Sequence, residues 1–148
     1  MTIILASKNI NSSLDKLWSI ISEVDKDPQY WHGTKSIKNI KKEGNTIERE
    51  TKISFNNYSC REIITLDEKN KNQVNIQIVE GPIHGKKTIT LEKIDIDLTK
   101  ISVKWDIQLK GLMRLFTMMI KKHILKGTNE ALERISSKAT EQFNEKKI

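Results

Sequence analysis

Cysteine, proline and aromatic residues are scarce in this chain of 148 residues, which has one Cys, two Pro and an aromatic share of 5%. With Cys60 alone no intramolecular disulfide can form, which points to a reducing compartment and a cytoplasmic location. Cys60 falls in a strand-like run with no histidine placed to activate it, so it reads as a small buried apolar residue rather than a nucleophile. No run of about 18 apolar residues is available to span a bilayer. The opening stretch Met1 to Lys8 lacks the basic flank and small-residue cleavage site of a secretory signal. Glycine is also sparse, at six, and GxGxxG, a Gly-rich phosphate loop and a nucleophile elbow are all absent. His32, His84 and His123 lie far apart and no Cys or carboxylate cluster completes a ligand set, so neither a metal nor a cofactor is expected. Arginine occurs only at Arg49, Arg61, Arg114 and Arg134. The net charge of +7 comes from lysines spread along the chain among acidic residues, not from an Arg-aromatic stripe, so no specific nucleic-acid partner is expected. Transient contact with an anionic membrane surface stays open, as does the oligomeric state.

What is present is one domain's worth of patterned sequence. The apolar share of 36% is modest, but Ile recurs in nearly every segment and the charges fall on alternating positions. Thr2-Ile3-Ile4-Leu5-Ala6-Ser7 is a β-prone run closed by Asn11-Ser12-Ser13. Ser12 with Asp15, or Ser13 alone, caps a first helix whose Leu14, Leu17, Trp18 and Ile21 share one face. Asp25-Lys26-Asp27-Pro28 ends that helix, and a second helical turn is expected over Gln29-Tyr30-Trp31-His32-Gly33. From Thr34 to Lys110 the period becomes two, with turn signals about every ten residues, which predicts an antiparallel meander. Its strands fall near 35–42, 46–55, 58–66, 73–80, 84–94 and 100–110. Ile101, Val103, Trp105, Ile107 and Leu109 mark the dry face. After Gly111 no proline interrupts residues 112–144, which predicts one long helix. Its second half carries an Ile124, Thr128, Ala131, Leu132 and Ile135 stripe. Its first half is apolar on nearly every side, which suits burial on more than one side. Glu145-Lys146-Lys147 reads as a frayed tail.

Several short motifs carry a family likeness. Leu14-Asp15-Lys16-Leu17-Trp18, Asp27-Pro28-Gln29-Tyr30-Trp31, Lys35-Ser36-Ile37, Tyr58-Ser59-Cys60-Arg61-Glu62-Ile63 with Leu66-Asp67, and Ile78-Val79-Glu80-Gly81-Pro82 stand in this order. Together with the element order, they resemble the START-like helix-grip (SRPBCC) superfamily, in particular its polyketide cyclase/dehydrase branch. The resemblance covers almost the whole chain and rests on packing and turn residues. It implies an α+β helix-grip fold: a curved antiparallel sheet of about seven strands wrapped on a long C-terminal helix, with two short helices between strands 1 and 2. It also implies a cavity between sheet and helix that kin use for lipids, sterols, plant hormones, quinones or polyketides.

Strand phase then nominates side chains for that cavity. If Ile47, Ile53 and Phe55 face inward, so do Arg49 and Thr51, and an inward Arg needs a carboxylate partner or an anionic ligand. Glu62 and Glu80 are the available carboxylates, and both a structural ion pair and a ligand anchor at Arg49 remain open. The expected ligand-binding set is Arg49, Phe55, Glu62, Ile76, Ile89, Trp105, Phe116 and Met119, around a cavity of a few hundred Å³. Flexible Met residues of the long helix would line it or simply fill core. Trp105 reads as core or pocket wall, and Trp31 resembles the family's tryptophan near the entrance, a position the resemblance implies is structural. The expected function is binding or carriage of a small apolar ligand. A cyclase or dehydratase that uses Arg49, Glu62 or Glu80, and a co-chaperone-like adaptor for other proteins, are the alternatives.

Overall fold

The computed structural model describes residues 2–141 and the backbone of the last helix to Lys147; the side chains of the frayed tail expected at Glu145-Lys146-Lys147 lie outside the described residues. Seven strands, β1 (Thr2–Ile10), β2 (Thr34–Glu43), β3 (Thr46–Ile53), β4 (Ser59–Leu66), β5 (Gln73–Glu80), β6 (Ile83–Asp95) and β7 (Leu98–Leu109), form one antiparallel sheet in the order β1-β7-β6-β5-β4-β3-β2. Helices α1 (Leu14–Ile21) and α2 (Asp27–Tyr30) lie between β1 and β2, and α3 (Thr117–Lys147) closes the chain. This is the helix-grip arrangement, a single sheet whose apolar face is covered by its own last helix.

Local chemistry accounts for most boundaries. The Ser13 hydroxyl accepts from the Lys16 amide, so Ser13 is the cap of α1. Pro28 sits in the first turn of α2, where a missing amide costs nothing, so the second helical turn begins at Asp27 rather than Gln29. The first strand runs three residues further than its composition suggests, because Lys8, Asn9 and Ile10 pair with Ile101, Lys100 and Thr99. Gly111, at φ 62°, ends the last strand. The chain then makes a 3-10 turn over Gly111–Phe116 with no side-chain cap, and the α-helix begins only at Thr117. It passes Gly127 unbroken.

Alternate residues of each strand enter the core. Ile47, Ile64, Ile76, Ile89, Leu91, Ile101 and Val103 meet Leu17, Trp18, Ile21 and Val24, while α3 contributes Ala131, Leu132, Ile135 and Ala139. The helix is tethered at both flanks: Arg134 donates to the Tyr30 carbonyl at 2.9 Å, and Lys8 pairs with Glu133 at 2.8 Å.

Candidate functional site

Cross-strand register assembles two polar rows on the core side of the sheet. In the first, Arg49 stands opposite Glu62, and Glu62 opposite Ile78. In the second, Ile64 stands opposite Ile76, Ile76 opposite Lys87, and Lys87 opposite Trp105. Strand geometry places neighbouring rows on one face two residues apart, so a guanidinium, a carboxylate and an ammonium share the inner surface. Gly85 permits the near approach of β6 and β7 beside them. At φ 139° it occupies a conformation that suits glycine, and a Cβ there would collide with the Asp106 carbonyl oxygen.

Arg49 is 1% exposed and fully engaged. Its Nε donates to Glu62 at 3.0 Å, one terminal nitrogen to the Val24 carbonyl at 2.9 Å and the other to Asp27 at 2.7 Å. The local sequence explains the third partner: the Pro28-initiated turn sets Asp27 over the sheet. Of the two readings open in sequence, this is the geometry of the structural ion pair, extended to two carboxylates. Burial raises the Asp27 pKa, against the opposing pull of Arg49 and Lys87. Glu80 does not take part. A register shift between Arg61 and Glu62 moves it outward, where it pairs with Arg61 at 3.1 Å.

Lys87 is the residue the sequence reading missed. It is 6% exposed, with its Nζ 3.0 Å from the centroid of the Trp31 ring and 4.8 Å from that of Trp105. Among the described residues it has no hydrogen-bonded acceptor and no ion-pair partner, whereas Arg49 has three. Burial lowers its pKa from 10.5 to about 7, partly offset by the charges of Asp27 and Glu62. The faces of the two indoles favour the ammonium form and so oppose that lowering. One signal was present in the sequence: Lys87 is in phase with Ile89 and Leu91, a lysine on the dry side of a strand. The preceding Lys86 hid it by making the pair look like a solvated run.

The two tryptophans form a wall above the amine. Trp31 and Trp105 meet edge to face at 6.5 Å, and the Trp105 indole N–H donates to the Thr128 hydroxyl of α3 at 3.0 Å. Trp105 is half-buried and Trp31 buried. The Thr51 hydroxyl, also buried, has no hydrogen-bond partner among the described residues.

The structure brings Arg49, Glu62, Ile76, Ile89 and Trp105 of the expected set to the inner face. Phe55, Phe116 and Met119 are placed differently. Strand β3 ends at Ile53, and the turn through Asn56 and Asn57, both at positive φ, turns Phe55 out beside Tyr58. Phe116, at the end of the 3-10 turn, and Met119, in the first turn of α3, are exposed, so the first half of the segment expected as one helix is not buried on several sides. Only Met113 and Ile120 turn inward, against Leu109, with Ile83 and Ile124 packed beside them. The cavity expected between sheet and helix is not bounded as its residues suggested, because Ile76 and Ile89 are packed into the core and Phe55, Phe116 and Met119 are exposed; the open depression of about 460 Å³ lies on the opposite face of the sheet, among Gln77, His84, Lys86 and Asp106. His84 lies at that depression, and His32 and His123 are exposed. Cys60 is buried and burial pushes its thiol up to about 11, the behaviour of an inert core residue. Among the described residues no group of His, Cys, Asp and Glu could hold a metal, and no helix is long and apolar enough to cross a membrane.

No protein-family model and no curated protein matches the sequence. Solved structures do match in shape. The Zhui aromatase/cyclase from Streptomyces superposes with a TM-score of 0.85 at 9% identity, over 96% of this chain and 95% of that one. A START superfamily protein from Mycobacterium smegmatis gives 0.74 at 13% identity over 95% and 98%. A norcoclaurine synthase point mutant from Thalictrum flavum gives 0.71 at 17% identity over 95% of each chain. With sequence identity this low the likeness lies in the backbone, and the seven-stranded sheet gripping its C-terminal helix has the START-like, SRPBCC fold.

Proposed function

We propose that the protein binds a small, largely apolar molecule carrying one acidic or carbonyl oxygen, held between the sheet and α3 with that oxygen on Lys87. The observation that carries this reading is the amine of Lys87, set on the inner face 3.0 Å over the Trp31 ring with no ion-pair partner among the described residues. An ammonium among apolar groups without a carboxylate partner is costly, and a ligand oxygen would offset that cost. Ile76, Ile89 and Trp105 form the apolar wall of the site. Glu62, with Arg49 and Asp27, bounds its polar end and keeps the field around Lys87 near balance. The solved structures of similar shape include an aromatase/cyclase and a START superfamily protein.

A second reading rests on the lowered Lys87 pKa. An amine that titrates near 7 can take and return protons at neutral pH, so the same site suits acid–base chemistry on a polyketide-like substrate, as a cyclase or dehydratase requires. The two readings share Lys87 and differ in turnover.

The test is a titration with fatty acids, quinones and neutral apolar dyes against the wild type, Lys87→Met and Arg49→Met. Saturable binding is expected, and Lys87→Met is expected to weaken acidic ligands about tenfold or more while neutral dyes change little. An interior that takes up none of these ligands saturably removes the binding reading. Equal affinity of wild type and Lys87→Met for acidic ligands leaves a site but removes the role of Lys87. Turnover of a polyketide-like substrate with a pH profile that breaks near 7 in the wild type only favours the enzyme.

A further inference from the structure

The segment that joins β7 to α3 is both the most exposed apolar stretch among the described residues and free of acidic side chains. Leu112, Leu115, Phe116, Met118 and Met119 fall within eight positions and are 51% to 80% exposed. Met113 and Ile120 pin the same segment to Leu109, so these five side chains are held outward by an anchored backbone. Residues 107–129 contain no Asp or Glu but carry Lys110, Arg114, Lys121, Lys122 and Lys126, all exposed. Among the described residues none of the five cations forms an ion pair, although ion pairs occur on α3 further along and across the sheet.

We infer that this segment is a docking surface for an anionic lipid bilayer, with Leu112, Leu115, Phe116, Met118 and Met119 entering the interface and the flanking cations meeting lipid phosphates. Apolar side chains gathered at this density on a water-facing surface mark an interaction site. Charge selects the occupant. Cations on both sides of an apolar cluster, with no acid between them, match a negatively charged headgroup layer with an apolar interior beneath it. A second copy of this chain fits poorly, because a symmetric contact would set the same five cations against each other. Long Lys and Arg stems can lie along the interface with their charges at phosphate level while the five apolar groups go deeper. The surface stands independently of the ligand reading, since vesicle binding is measured without ligand.

The experiment is co-sedimentation of the full chain with phosphatidylcholine vesicles and with mixed phosphatidylcholine–phosphatidylglycerol vesicles, at low and high salt. Binding is expected to the mixed vesicles, to weaken as salt rises, and to be absent from phosphatidylcholine alone. The pairs Leu115→Glu with Met118→Glu, and Lys121→Glu with Lys122→Glu, should each reduce binding about tenfold or more. Both pairs are exposed, so thermal unfolding should stay at the wild-type temperature and separate loss of docking from loss of fold. In Phe116→Trp, emission should shift to the blue and be quenched by brominated lipid when mixed vesicles are added. No binding to mixed vesicles, equal binding to neutral vesicles, or wild-type binding by both double variants overturns the inference. A dimer in light scattering that Leu115→Glu dissociates, with no vesicle binding, also overturns it and assigns the face to a second copy.

Discussion

Lys87 and Arg49 stand on adjacent rows of one sheet face, yet the protein treats them differently. Arg49 has a protein partner for each nitrogen, so its charge is internal to the fold. Arg49→Met leaves the buried carboxylates of Asp27 and Glu62 uncompensated and should destabilise by about 3–5 kcal/mol in urea unfolding. Adding Asp27→Asn and Glu62→Gln to that variant should recover part of the loss. Lys87 acts in the opposite sense. The unfolded chain keeps its lysine proton up to 10.5, whereas the folded chain releases it near 7. Between those values the unfolded state binds more protons, so this group makes stability rise with pH; below about 7 both states are charged and the cost is complete. Lys87→Met should therefore stabilise the protein by about 2–4 kcal/mol at pH 7 and flatten the rise between pH 7 and 10.5. A variant less stable than wild type at pH 7 would mean that the indoles and the Asp27 and Glu62 carboxylates outweigh burial.

At the scale of elements, two glycines test the backbone in opposite directions. Gly85 allows β6 to pass close to β7, and a methyl group there meets the Asp106 carbonyl in a conformation L-residues avoid, so Gly85→Ala should cost about 2 kcal/mol or more and disturb the Lys87 row. Gly127 lies inside α3, where an added methyl group would meet nothing within 4 Å, so Gly127→Ala should stabilise the helix by about 0.5–1 kcal/mol. Thermal unfolding of the two variants reads both signs. Edge strand β2 explains where part of the lysine goes: Lys35, Lys38, Lys41 and Lys42 stand along it. Charged side chains on an unpaired edge discourage pairing with other chains. Trp105 couples sheet to helix through Thr128. Trp105→Phe keeps ring contacts but loses this bond, and should cost about 1 kcal/mol in urea unfolding.

At the scale of the molecule, charge and apolar surface are arranged by function of place rather than by total. Positive charge gathers at the β2 edge, in the segment around the start of α3 and at a lysine enclosed in the core. The second of these sites carries five exposed apolar side chains, against Ile40 on β2. The interior site and the exposed segment at the start of α3 are joined through the same helix, whose Thr128 holds Trp105 while its first turn presents Met118 and Met119.

Much of this was legible in the amino-acid order. Period-two alternation through Ile101, Val103, Ile107 and Leu109 defined the meander, Ser13 and Pro28 punctuated the helices, and the inward phase of β3 placed Arg49 inside and opposite an acid. Those are local properties, set by side-chain period and by hydrogen bonds within a few residues. The rest depended on contacts between distant segments. Asp27 reached Arg49 because a short turn folded back over the sheet, Glu80 turned outward at an irregularity in the β4–β5 ladder, and Phe55 left the core where its strand ended. Whether Lys87 is solvated or enclosed, and whether Phe116 and Met119 are buried or presented to water, is decided by what lies across from them. Period along one strand or helix cannot report that, because burial is a property of two surfaces in contact.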